Sequence, residues 1–406
     1  MSAQGFLESV GGPPVRIDDT LCSRYRSTKS GCSACLDACP IPGALDAANG
    51  GIRVQDPCVG CGACLSACPN GALKGEIGDR SLAARMRLTV RQGSPYRIAC
   101  DRVDGARWAQ ESGAAPDLVL PCLSRATEAL LLEPVRLGAR RIELLVPGCE
   151  DCPLARAAAQ WRRTVDLARS LAAGLGIRDV EYSVADAPRL IPDDTDPVRP
   201  ETGPRVSRRD ALHALFRRGR AAAAGALAPA EPAKTPAEVF RENVRRHPEN
   251  AKRTHLLEIV AALAPGSTGS APFPREGTPF AELDVNERCV GCDVCETLCP
   301  VGAIRRKTEG ASFALEFEPG LCTGCGICAQ ACLFRAIHLR TTFDPTLLAR
   351  RGWTTVFEAE KTRCRICGVE CVGRASDVCR LCELQSRRQK AFARQLFSGG
   401  NGRGSR

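Results

Sequence analysis

The chain has 406 residues, a formal charge of +10, only 4 % aromatic residues, and 25 cysteines against 4 histidines. Histidine is too sparse for a hydrolytic metal site or a nucleophile–base pair. The Lys and Arg residues are scattered without interleaved aromatics, which argues against a nucleic-acid interface.

Length predicts two to four units. Small aromatic-poor units bury too little apolar surface to fold without staples or metal, so the cysteines are expected to supply one or the other. No apolar run reaches the roughly 18 residues of a membrane span, although peripheral association is compatible with the basic surface. The stretch before Val15 is short, Gly-rich and broken by Glu8, unlike a secretion signal. A cytoplasmic location follows as the expectation, where closely spaced thiols serve as metal ligands or redox groups rather than disulfides.

In chain order, residues 1–80 hold two cysteine runs. Cys58, Cys61, Cys64 and Cys68-Pro69 read C-x2-C-x2-C-x3-C; the other run is Cys22, nine residues, then Cys32, Cys35 and Cys39-Pro40. Either Cys22 completes the second run, or that run has three ligands and Cys22 is free. The insert 23–31 carries Arg24, Arg26 and Lys29 and is expected to face an acidic partner.

Residues 95–195 alternate short apolar strands (97–99, 118–120, 142–146) with stretches of helical length (124–137, 154–175). In a parallel sheet, Cys100, Cys122, Cys149 and Cys152 would share the carboxyl edge, where open α/β sheets place ligands. Residues 196–280, rich in Ala, Arg and Pro, read as a helical linker. One helix opens at Thr235-Pro236-Ala237-Glu238, and another runs over 255–263 until Pro265-Gly266 stops it. A twin-arginine-like Ser207-Arg208-Arg209 lies mid-chain, and Arg217, Arg218 and Arg220 break the apolar segment that export would need.

The run pattern returns over 281–342 as Cys289, Cys292, Cys295, Cys299-Pro300, then Cys322, Cys325, Cys328, Cys332. Residues 360–390 contain Cys364-x2-Cys367 and Cys379-x2-Cys382, a spacing suited to a tetrahedral four-cysteine zinc site, with Cys371 spare and a fifth cluster as the rival. The basic, Gly-rich tail 391–406 has a composition that predicts disorder.

The doubled runs resemble the bacterial two-cluster ferredoxins, in which the fourth cysteine of each run ligates the other [4Fe-4S] cluster. The resemblance implies four ligand sets: Cys22, Cys32, Cys35 and Cys68; Cys58, Cys61, Cys64 and Cys39; Cys289, Cys292, Cys295 and Cys332; and Cys322, Cys325, Cys328 and Cys299. Residues 95–180, through Leu120-Pro121-Cys122 and Pro147-Gly148-Cys149-Glu150-Asp151-Cys152-Pro153, look like the iron–sulfur delta subunit of methyl-viologen-reducing hydrogenases. That family implies a [2Fe-2S] carrier serving a heterodisulfide-reductase-type flavoprotein. From the residues themselves, zinc, a redox dithiol and unliganded thiols stay open for Cys100, Cys122, Cys149 and Cys152.

The expected fold class is α+β multidomain: two ferredoxin-like dicluster modules, a central α/β parallel-sheet domain and a small zinc-ribbon-like segment. No G-x-G-x-x-G or P-loop sequence occurs, so neither NAD nor ATP binding is indicated. The leading function is an electron conduit to or from a partner oxidoreductase, such as a flavoprotein, hydrogenase or molybdenum oxidoreductase subunit, with no catalysis of its own. The alternatives are a thiol/disulfide reductase subunit using Cys149 and Cys152, and a non-catalytic iron–sulfur assembly or docking protein.

Overall fold

A computed structural model describes residues 14–47, 50–190, 235–264, 272–372 and 377–398. The twin-arginine-like sequence and most of the expected linker lie outside the described residues. Among those described, no helix is long and apolar enough to cross a membrane.

The N-terminal unit pairs β1 (Val15–Ile17) with β4 (Leu73–Gly75), antiparallel, around a short hairpin of β2 (Leu45–Asp46) and β3 (Arg53–Val54). The central unit is a four-stranded sheet of β5 (Tyr96–Cys100), β6 (Leu118–Leu120), β7 (Arg141–Val146) and β8 (Glu181–Asp186). Its order is β6-β5-β7-β8 and every pair is parallel. Ile98, Ala99, Ile142, Leu144 and Leu145 are completely buried, as expected of strands covered by helices on both faces. The strand order reverses between β5 and β7, which opens a crevice at the carboxyl edge.

Around the sheet pack α1 (Asp79–Thr89), α2 (Gly105–Ser112), α3 (Glu128–Arg136) and α4 (Ala158–Gly174). Buried on nearly every side, α3 is the central helix of the layer.

The spacer reading of 235–264 requires correction. As expected, α5 (Pro236–Arg245) opens on a capping box in which the Thr235 hydroxyl accepts from the Glu238 N–H and the Glu238 carboxylate accepts from the Thr235 N–H. The following helix, α6 (Ala251–Leu263), is core, because Leu256, Leu257, Ile259 and Val260 are at most 1 % exposed and join the same apolar cluster as the sheet. Asn250 caps it and donates its side-chain amide to Pro69 O, which ties α6 to the N-terminal unit. Arg253 stacks 4.6 Å over the Phe280 ring, tying it to the C-terminal one. The segment is thus a three-way joint.

In the C-terminal unit, β9 (Phe273–Pro274) pairs with β14 (Thr342–Phe343), and β10 (Leu283–Val285) pairs with β13 (Ile337–Leu339). The hairpin of β11 (Ile304–Glu309) and β12 (Ser312–Phe317) is longer than its N-terminal counterpart. It recruits β15 (Thr354–Arg363) and β16 (Glu370–Val372), forming a sheet of order β11-β12-β15-β16. The region 360–390 is therefore welded to this unit through β15. The expectation of a disordered tail over 391–406 is corrected for its first part, since α7 (Arg380–Ser398) continues through Ser398; residues 399–406 lie outside the described residues.

Candidate metal centres

Each cysteine run folds as a loop followed by a one-turn helix, such as Ala63–Ala67 after Cys61 and Ile327–Ala331 after Cys325. The fourth cysteine sits at the C-cap of that turn, with extended backbone, as Cys68 and Cys332 do. Its sulfur is thereby turned toward the other half of the unit. Gly60, Gly291 and Gly324 take positive φ at equivalent points of their loops. At Gly324 a Cβ would lie 2.8 Å from Phe280 O, so only glycine fits without displacing backbone.

Cys22, Cys32, Cys35 and Cys68 line one cavity, together with Ile17, Ile52 and Leu73. The expanded gap after Cys22 is taken up by a helical turn, Ser23–Arg26, which follows a 3-10 turn, Asp19–Leu21, capped by Asp18. Arg24 then donates to Cys32 O, bringing the end of the insert back to the site. Burial pushes the Cys35 thiol up to about 12, with Cys68, Cys32 and Cys22 adding repulsion.

The other groupings follow the same logic. Burial pushes Cys61 up to about 12, with Cys122, Cys39 and Cys58 adding repulsion. Cys295 rises to about 12 by burial, then through Cys292, Cys289 and Cys332. Cys322 rises to about 11 and Cys325 to about 12, burial leading and Cys299 contributing in both.

Buried, mutually repelling thiols cannot ionise together without a compensating cation, and a thiophilic metal supplies one. The donors present suit metal-bound thiolates: the sulfurs of Cys68, Cys299 and Cys332 each accept an N–H from the residue four ahead, at 3.4, 3.2 and 3.3 Å. Such hydrogen bonds stabilise thiolate charge and set cluster potential. The donor set fits an iron–sulfur group.

Cys100, Cys122, Cys149 and Cys152 converge on a second cavity at the carboxyl edge of the sheet, walled by Pro121, Pro147 and Trp161. Cys100 ends β5 and Cys122 follows β6, while Cys149 opens a 3-10 turn after β7 and Cys152 caps its end. Burial pushes Cys100 up to about 12 and raises Cys149 as well.

The sulfurs of Cys364, Cys367, Cys379 and Cys382 lie within 4.8 Å of one another, the one metal-compatible group of this tightness among the described residues. The first pair turns between β15 and β16 and the second opens α7. Backbone N–H groups of Cys379 and Cys367 lower Cys364 to about 6, favouring a thiolate there. Cys371 lies on β16 next to the Thr362 hydroxyl, outside the four.

Sequence reasoning missed the cations. Arg26, read as a surface charge, is 1 % exposed and lies between the two outer units. Lys252 donates to Ser66 O and Cys68 O, and Arg253 to Pro279 O and Cys322 O. The signal available was their position inside an apolar helix, at 252 and 253.

Residues 288–336 match the model of a 4Fe-4S dicluster domain, and residues 52–74 match that of a 4Fe-4S binding domain. No curated protein and no solved structure matches the chain. The chain therefore contains two ferredoxin-type 4Fe-4S domains within a mixed helix-and-strand fold, which indicates an iron–sulfur electron-transfer protein.

Proposed function

We propose that the chain is a multi-centre electron relay holding four [4Fe-4S] clusters, on Cys22/Cys32/Cys35/Cys68, Cys58/Cys61/Cys64/Cys39, Cys322/Cys325/Cys328/Cys299 and Cys289/Cys292/Cys295/Cys332. One [2Fe-2S] cluster on Cys100/Cys122/Cys149/Cys152 and one Zn²⁺ on Cys364/Cys367/Cys379/Cys382 complete the set. The carrying observation is that cysteines of different groups are electrostatic neighbours within each half of the chain, and that Arg26 spans the seam between the halves, bonded to Cys22 O on one side and Thr297 O on the other. Cys122 acts on Cys61, Cys35 on Cys64, and Cys295 on Cys328. Electron tunnelling falls steeply with distance, so contiguous centres favour a wire over isolated structural clusters.

The clusters, when bound, supply one-electron redox chemistry. The protein's residues would shield them from water and fix their spacing, and backbone N–H groups donate to the cysteine sulfurs that would bind them. The series runs from the Cys100 cavity through the Cys58, Cys22 and Cys322 groups to the Cys289 group, where Cys292 is exposed. Its two ends suit two partners, a flavoprotein or other redox subunit at one and a second oxidoreductase at the other.

The thiol/disulfide reading of Cys149 and Cys152 is less well supported, because burial raises the Cys149 thiol whereas a reactive dithiol needs a lowered one. Anaerobic reconstitution followed by iron, sulfide and zinc analysis tests the proposal. About eighteen iron per chain is expected from four cubanes and one two-iron cluster, and about eight would overturn the two-module assignment.

A further inference from the structure

Arg26 is a fully buried cation whose acceptors are all neutral. Its Nε donates to Thr20 O at 2.6 Å, and its Nη1 to Val244 O at 2.8 Å and Thr297 O at 2.9 Å. Its Nη2 donates to Arg246 O. Val244 and Arg246 lie at the C-terminal end of α5, where helix carbonyls carry partial negative charge. Among the described residues Arg26 joins no ion pair with a carboxylate. Main-chain carbonyls satisfy its hydrogen bonds but leave a full positive charge in a low-dielectric interior, which is costly unless a negative charge lies nearby.

Cysteine sulfurs, which would carry negative charge as cluster ligands, lie close to it. Arg26 lies one helical turn beyond Cys22, its N–H bonded to Cys22 O. From the other unit, Cys299 and Cys325 act on its guanidinium more strongly than Asp18 does. Other bonds cross the same seam: the Thr323 hydroxyl donates to Asn70 Oδ1, and Gly31 N–H to Gln330 Oε1 at 3.2 Å. The Cys22 and Cys322 groups therefore face each other across Arg26.

We propose that Arg26 is a positioning residue for electron transfer between the two modules: a buried charge shared by the two facing centres, favouring the reduced form of both and marking the crossing point. One electron leaves the centre on one side, which is oxidised, and enters the centre on the other, which is reduced; no proton moves. The inference rests on the reading of these cysteine groups as cluster ligands.

The test is an electron paramagnetic resonance potentiometric titration of full-length reconstituted protein in wild type, Arg26→Met and Arg26→Lys, with Cys22→Ala identifying the Cys22-group signal. In Arg26→Met the reduction equilibria of the two inner centres should fall on the order of tenfold, about 59 mV for a one-electron couple. The Cys58 and Cys289 groups should not move, and Arg26→Lys should stay near wild type. Unchanged inner potentials with full iron in Arg26→Met would overturn the proposal, as would an equal shift of all centres. If Arg26→Met fails to hold iron, full loading and wild-type potentials in Arg26→Lys support the charge role, and failure of both overturns it. Wild-type protein lacking four distinct centres would instead reject the ligand assignment, before any Arg26 variant is made.

Discussion

Cys22→Ala tests the least regular part of the ligand pattern. Nine residues separate Cys22 from Cys32, yet both line one cavity with Cys35 and Cys68, so three sulfurs remain when Cys22 is removed. A cubane held at three corners loses the unprotected iron, and iron content should fall by about one atom per chain relative to wild type. A three-iron signal should appear in the oxidised variant. The remaining centres should keep their intensities, since Cys35 rather than Cys22 is the member of its group that acts on Cys64 of the Cys58 group. Tertiary structure should survive, because the turn that delivers Cys22 is held by Asp18, whose carboxylate accepts from the Thr20 N–H at 3.2 Å and pairs with Lys74 at 2.8 Å. The assay is iron analysis with electron paramagnetic resonance of oxidised and reduced samples. Full iron and an unchanged spectrum would mean that Cys22 is free and would refute the four-ligand grouping.

Leu257→Ala should cost about 2–5 kcal/mol of unfolding stability, the range for a leucine truncated in a packed core; Leu257 is 1 % exposed, and a loss below about 0.5 kcal/mol in chemical denaturation would restore the spacer reading of α6. Cys364→Ser should remove one zinc per chain by metal analysis while the visible cluster absorption stays intact, whereas loss of iron would assign that site to a cluster. His255 is held neutral by burial, against the pull of Asp79 and Glu133. The unfolded chain therefore takes up a proton as pH falls through 6.5 that the native one refuses, and stability present above that pH is lost on acidification. His255→Leu should flatten the fall in melting temperature between pH 7.5 and 5.5, and parallel wild-type and variant curves would contradict this.

Strands and their edges were legible because the information was local. The runs at 97–99, 118–120 and 142–146 are short, apolar and followed by Pro or Cys, and the parallel order then brings four distant cysteines to one edge without further assumption. The strand Thr354–Arg363 was missed: its mixed Thr, Glu and Lys composition suits a half-exposed strand, and its partner, Ser312–Phe317, lies some forty residues earlier. The final helix was misread because basic composition is a prior for disorder, not a measure of helix propensity.

The larger misreading concerned cations. Lys252, Arg253 and Arg26 look like solvated charges because sequence reports the cost of burying a charge but not the acceptors that offset it. Here those acceptors are carbonyls contributed from elsewhere in the chain, over two hundred positions away in the case of Arg26 and Val244. The geometry gives these charges a common logic. Lys252 bonds Cys68 O, Arg253 bonds Cys322 O, and Arg26 bonds the carbonyl of Thr297, two residues before Cys299. Each of these cations, Arg26 and Arg253 buried and Lys252 half-buried, is thus placed beside a cysteine of a proposed inner group, where thiolate-bound clusters would carry the opposite charge. Glu128, 3.8 Å from Lys252, supplies one carboxylate to this joint and is the leading charge acting on Arg253, whereas Arg26 joins no ion pair with a carboxylate among the described residues, so of the three cations it is the one that depends most on charge at the cysteine groups beside it.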